Sequence, residues 1–133
     1  MNTLRNIIYA EADWLNNPLA VLAGYNIHDG NFRTEKKPLL MDIFMPASDT
    51  LKRRPAILFV HGGAFLLGSR RNDYMVALCD SFARQGYVTA TIDYRLGMAA
   101  EVSRFFGLVT RINIPEASSR RAVYRATQDA RAA

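Results

Sequence analysis

An unbroken apolar run, Ala56-Ile57-Leu58-Phe59-Val60, ends directly on His61-Gly62-Gly63-Ala64-Phe65. Paired glycines free a backbone to turn sharply and to approach another group closely, so main-chain N–H groups at this point could face a ligand. The other residues able to do chemistry are scattered. His61 could act as a base, and Cys79 as a nucleophile. Each has a plainer reading beside it: Gly-Gly after a strand is often only a tight turn, and a reactive thiolate needs an electropositive, accessible site that the apolar setting of Cys79 does not offer. Asp93 and Arg95 read as a structural polar pair at a strand end. His28, beside Asp29-Gly30, reads as an exposed turn residue.

The elements that would position these groups follow from periodicity. Asn6 to Tyr9 and Val21 to His28 are short strand candidates, and Asp29-Gly30 is a hairpin turn signal. Leu39 to Met45 alternates as a strand with Asp42 facing solvent, and Pro46 closes it. Ala56 to Val60 lacks any polar alternation, which is how a central strand buried on both faces reads. Asn72 and Asp73 are capping residues for a helix to Gln85, with Met75, Leu78, Cys79 and Phe82 on one face and Gly86 as its stop. Tyr87 to Tyr94 returns as a strand with Val88, Ala90 and Ile92 on one side. Strand, helix and strand with short joins make a βαβ unit, whose crossover should be right-handed. Leu96 to Pro115 has no clean period and reads as a short helix over a pocket, or as a segment packed on further protein. Ser118 and Ser119 cap a last helix marked by Ala122, Val123, Ala126 and Ala130.

Composition narrows the class. Half of the 133 residues are hydrophobic and 22% are charged, which fits a soluble globular domain and excludes a disordered or collagen-like chain. No apolar run approaches the roughly 20 residues of a membrane-spanning helix. One cysteine excludes an internal disulfide. The formal charge of +5 raises the question of nucleic acid. The arginines, however, stand as separate pairs, Arg53/Arg54, Arg70/Arg71 and Arg120/Arg121, without interleaved aromatics, so they read as solvated surface and no nucleic-acid partner is expected. Residues 1–17 show no basic region followed by an apolar core, hence no signal peptide. A cytoplasmic location is favoured, with a secreted one open.

Three features in order, the His61-Gly62-Gly63 loop after a buried strand, Asp93-Tyr94-Arg95 at the end of the next strand, and the helix Ala122-Val123-Tyr124-Arg125-Ala126 to Ala133, resemble the α/β-hydrolase fold of carboxylesterases and lipases over roughly Leu39 to Ala133. The resemblance implies a mixed, mostly parallel sheet with flanking helices. It also implies ester hydrolysis through a serine acyl-enzyme, with a histidine base and an acidic orienter, without metal or organic cofactor, on a small-molecule ester. Acyl transfer passes through a tetrahedral intermediate whose oxyanion is stabilised by preorganised N–H donors, each worth about 2.7–4 kcal/mol where removed. By resemblance, Gly63 and Ala64 are those donors, Gly62 shapes the turn, and His61 braces the loop, with Asp93 and Arg95 as support. Phe65-Leu66-Leu67 and Phe105-Phe106 suggest an apolar acyl pocket or core packing.

The serine of a Gly-x-Ser-x-Gly elbow is not found: none of the serines at 48, 69, 81, 103, 118 and 119 has glycine at both flanking positions. The expectation is therefore that residues 1–133 form the N-terminal portion of a single α/β-hydrolase domain, cut before its triad and inactive alone. An unpaired sheet edge beside Tyr87 to Asp93 would then invite self-association. The alternatives are a non-catalytic interaction or structural module keeping the half-fold, and a peptidase of the same fold.

Overall fold

The sheet is built outward from two inner strands, which position everything described below. The structure, a computed structural model, describes residues 1–15, 34–47, 51, 53–65, 68–96, 101–105, 108–113 and 116–133. Its elements are β1 (Asn2–Leu15), β2 (Thr34–Met45), β3 (Ala56–Val60), α1 (Asp73–Arg84), β4 (Val88–Ile92), β5 (Glu101–Phe105), β6 (Leu108–Asn113) and α2 (Glu116–Ala132). The first four strands form a mixed sheet in the order β1-β2-β4-β3, and β5 and β6 pair separately. β1 and β2 are antiparallel, from Asn2 opposite Met45 to Leu15 opposite Thr34. β2 runs antiparallel to β4, and β3 parallel to it, with Ala56 opposite Val88 and Val60 opposite Ile92. The βαβ unit is thus present. The strand candidate at 21–28, His28 and the Asp29-Gly30 turn lie outside the described residues.

Helix α1 forms where expected. Gly86 takes φ 101°, a left-handed conformation glycine adopts without strain, and the amides of Gly86 and Tyr87 close the helix on the carbonyls of Ala83 and Phe82. Met75, Cys79 and Ala83 are buried, whereas Leu78 is exposed. Phe44, Cys79 and Ala83 form a core with Phe59 and Val76 against it, and Phe59, Phe82 and Tyr87 continue it through tilted and edge-on ring contacts.

Several expectations fail for one reason: sheet order decides burial, and order is not written in any single strand. β3 is not a central strand buried on both faces; it pairs with β4 alone among the described residues, and Leu58 and Val60 are 38% and 45% exposed. β4 is an inner strand, paired on both edges, so among the described residues an open edge lies along β3 rather than beside β4. On β4, Thr89 and Thr91 are wholly buried, because their hydroxyls donate to the carbonyls of Cys79 and Arg70. Asp42 is buried rather than solvent-facing, and its neighbour Arg70 is buried rather than solvated. After Leu96 the described residues before Glu116 form the antiparallel pair β5 and β6 and no helix. Helix α2 begins at Glu116, so Ser118 and Ser119 lie inside it and do not cap it. Ala122, Ala126 and Asp129 form its buried side, and Val123 is exposed.

Candidate active-site loop

The loop leaves the end of β3 at His61, the point where a parallel strand delivers its carboxyl end to the rim of the sheet. His61 is buried at 3% exposure. Its ring stacks on Tyr94 with centroids 4.4 Å apart, and the Tyr94 hydroxyl donates to the His61 carbonyl at 2.8 Å. Nδ1 lies 2.7 Å from the Gly62 carbonyl oxygen. That oxygen can only accept, so the ring proton belongs on Nδ1. The Gly62 amide donates to the Tyr74 hydroxyl of α1 at 3.2 Å.

The sharp turn falls one residue later than Gly62. Gly63 has φ 123°, and Ala64 and Phe65 follow at 52° and 59°. Two consecutive non-glycine residues in the left-handed region are costly and persist only where the surroundings impose them. Phe65 supplies part of that constraint by meeting the Tyr94 ring edge-on at 6.1 Å. The Gly63 and Ala64 amides donate to no acceptor among the described residues.

Gly68 returns the chain to its starting point. It has φ 123°, and a Cβ there would stand 2.5 Å from the Gly62 carbonyl oxygen and 2.6 Å from His61 Cε1. Its Cα therefore rests against the His61 ring and the Gly62 carbonyl, which only glycine allows. Sequence reasoning did not single Gly68 out; its signal was a glycine seven residues after His61 with no helix or hairpin to stop. Leu66, Leu67 and Phe106 lie outside the described residues.

The three residues that follow β4 each hold something different. Asp93 accepts from the Arg70 amide at 2.8 Å through Oδ1 and forms an ion pair with Arg70 Nη1 through Oδ2, fixing the far end of the loop. Tyr94 holds the near end through His61. Arg95 reaches away to α2, where Asp129, 4% exposed, accepts from its amide at 2.9 Å and from Nη2 at 2.7 Å. Asp93 and Arg95 are thus not a pair with each other. Successive side chains near a strand end point to opposite sides, and the residues two apart meet different partners here because the chain is already leaving the sheet. Cys79 is fully buried, and burial pushes its thiol up, with the Asp42 charge adding to this. No group of metal-ligating side chains occurs among the described residues, and no described helix is long and apolar enough to cross a membrane.

A mixed sheet with a parallel β3-α1-β4 unit, and a glycine loop at the carboxyl end of β3, are features that the α/β-hydrolase resemblance implies. Residues 41–106 match the family model BD-FAE, an esterase family of the α/β-hydrolase type. A non-reducing polyketide synthase, mapC of Penicillium roqueforti (strain FM164), is 38% identical over 89 residues, 58% of this chain and 4% of that protein. Among solved structures, an esterase of Pyrobaculum calidifontis in a monoclinic form is 21% identical with a TM-score of 0.39, over 92% of this chain and 29% of that one. A structure described as the hyperthermophilic esterase of the same archaeon is 22% identical, with the same TM-score and coverage. The chain thus spans a small part of the length of each of these proteins.

Proposed function

We propose that this chain supplies the oxyanion-loop portion of a carboxylesterase-type serine hydrolase. In this reading the Gly63 and Ala64 amides are the donors, His61 and Gly62 brace the loop, and the nucleophile, acid and base come from protein outside these 133 residues. The observation that carries it is a pair of amides that donate to no acceptor among the described residues, on a turn whose two ends are both tied to the end of β4. An oxyanion forming there would meet donors that need not be reoriented at the moment of reaction, which is what makes such donors effective. The match to an esterase family and the open edge of β3, where a further strand could pair, support the same reading. The substrate is a small-molecule ester, bound without metal or organic cofactor and without nucleic acid.

The test compares hydrolysis of short p-nitrophenyl esters by this chain and by a longer product of the same gene that contains a Gly-x-Ser-x-Gly elbow. The chain alone should give the buffer rate. The longer protein should turn over, and Gly63→Pro, which deletes one donor and cannot hold the φ of 123°, should lower kcat by at least about 10²–10³-fold. Rates well above buffer for residues 1–133, lost on Gly63→Pro, would overturn the division of the site between this chain and further protein.

A further inference from the structure

The N-terminal strand carries a feature that the family match and the oxyanion reading leave unused. The pairing of β1 with β2 slips between Leu4 and Ile7, and Asn6, at the slip, has φ 59°. A left-handed residue in a strand is held there by its surroundings, and asparagine tolerates the conformation better than most. Here the surroundings are charged. The Asn6 amide donates to Asp42 Oδ1 at 2.8 Å, and its side-chain oxygen accepts from Arg70 Nη2 at 2.7 Å and Arg71 Nη2 at 2.8 Å. Asp42 lies 3.2 Å from Arg70 Nε and 2.8 Å from Arg71 Nε. Arg70 continues to Asp93. β1 touches the same corner again through Tyr9, whose hydroxyl donates to the Asp93 carbonyl at 2.6 Å.

We propose that Asn6 and Asp42 are positioning residues for loop residues 61–65 and 68–70: the bulge in β1 presents Asn6 to Arg70 and so fixes the far end of the loop, from a strand with no part in the loop's own sequence. The inference rests on the reading of Gly63 and Ala64 as donors only for its catalytic meaning. The physical path is short. Arg70 is two residues from Gly68, and Gly68 rests on His61 and Gly62, so a displaced guanidinium moves the base of the turn that sets the two amides. Misplacements of about 1 Å are enough to cost on the order of 10²-fold in rate when donors must meet a reacting atom.

The test uses backbone amide order parameters of the full chain. Asn6→Gly keeps the φ and deletes the acceptor for both arginines; Asn6→Asp keeps an acceptor. In the unaltered chain the Gly62, Gly63, Ala64 and Gly68 amides should be as rigid as the core, about 0.85, and in Asn6→Gly they should fall toward about 0.6. Cys79, Thr89 and Ile92 should not change, and Asn6→Asp should restore the loop values. A loop that stays rigid in Asn6→Gly, or a core that loosens as much as the loop, overturns the proposal. In the longer, turning-over protein, Asn6→Gly should lower kcat with KM unchanged. If the loop loosens but Gly63→Pro leaves turnover intact, the positioning stands and the oxyanion reading falls.

Discussion

Two glycines of one loop should respond in opposite ways to the same added methyl group. At Gly68 the φ of 123° is closed to L side chains, and a Cβ would lie 2.5 Å from a backbone oxygen and closer still to the His61 ring nitrogen. The conformational strain is worth about 1–3 kcal/mol. Relief of the overlap adds about 1–3 kcal/mol, because His61 is clamped between Tyr94 and the Gly62 carbonyl and has nowhere to go. Gly68→Ala should therefore cost about 4 kcal/mol, a large part of the 5–15 kcal/mol that holds an ordinary domain. At Gly62 an added Cβ meets nothing within 4 Å, and the backbone is not in the left-handed region. Gly62→Ala should be neutral or stabilise by about 0.4–1 kcal/mol, through the lower entropy of the unfolded chain. Urea unfolding followed by circular dichroism measures both. A Gly68→Ala protein within about 1 kcal/mol of the parent, or a Gly62→Ala protein that loses as much as Gly68→Ala, would refute the picture of a loop closed on His61.

Three further outcomes are expected. Burial alone would raise the Asp42 carboxyl, but hydrogen bonds from Arg71, the Asn6 amide and Arg70 outweigh it and hold the group down to about 2. Since the unfolded chain then binds the proton more readily, the stabilisation, about 2 kcal/mol, is complete above about pH 5 and is lost as acid titrates toward pH 2; a carboxyl-carbon NMR titration of Asp42 with a midpoint near 4 would contradict this. Asp129→Ala leaves Arg95 partly buried without its carboxylate and should cost about 2–3 kcal/mol, below the usual figure for a broken buried pair because Arg95 keeps some solvent; urea midpoints decide it. Cys79, buried with a raised thiol, should react with a disulfide reagent about tenfold or more slowly in the native chain than in urea, and equal rates would place it at the surface.

The legible parts of this chain were those with local causes. Helix α1 was readable because its stop is a glycine and its buried positions recur on one face. The β3-α1-β4 unit was readable because an apolar run, an amphipathic helix and a β-branched run follow one another in order. Burial of Asp42 and Arg70 was not readable, since each looked like a charge awaiting water until β1, β2 and the loop met around them. Asp93 and Arg95 looked like partners because they are near in sequence, and were separated by partners 23 and 34 residues away.

By itself the sequence determined the glycine turn after a strand, the helix beside it and the esterase resemblance, because these depend on residue types at fixed short spacings. Tertiary structure alone decided that β4 rather than β3 is an inner strand, that Gly68 packs on His61 and Gly62, and that a bulge brings Asn6 to Arg70 and Arg71. Those outcomes depend on which segments come together, and charges or glycines distant in the chain acquire their roles only when the sheet order sets their neighbours.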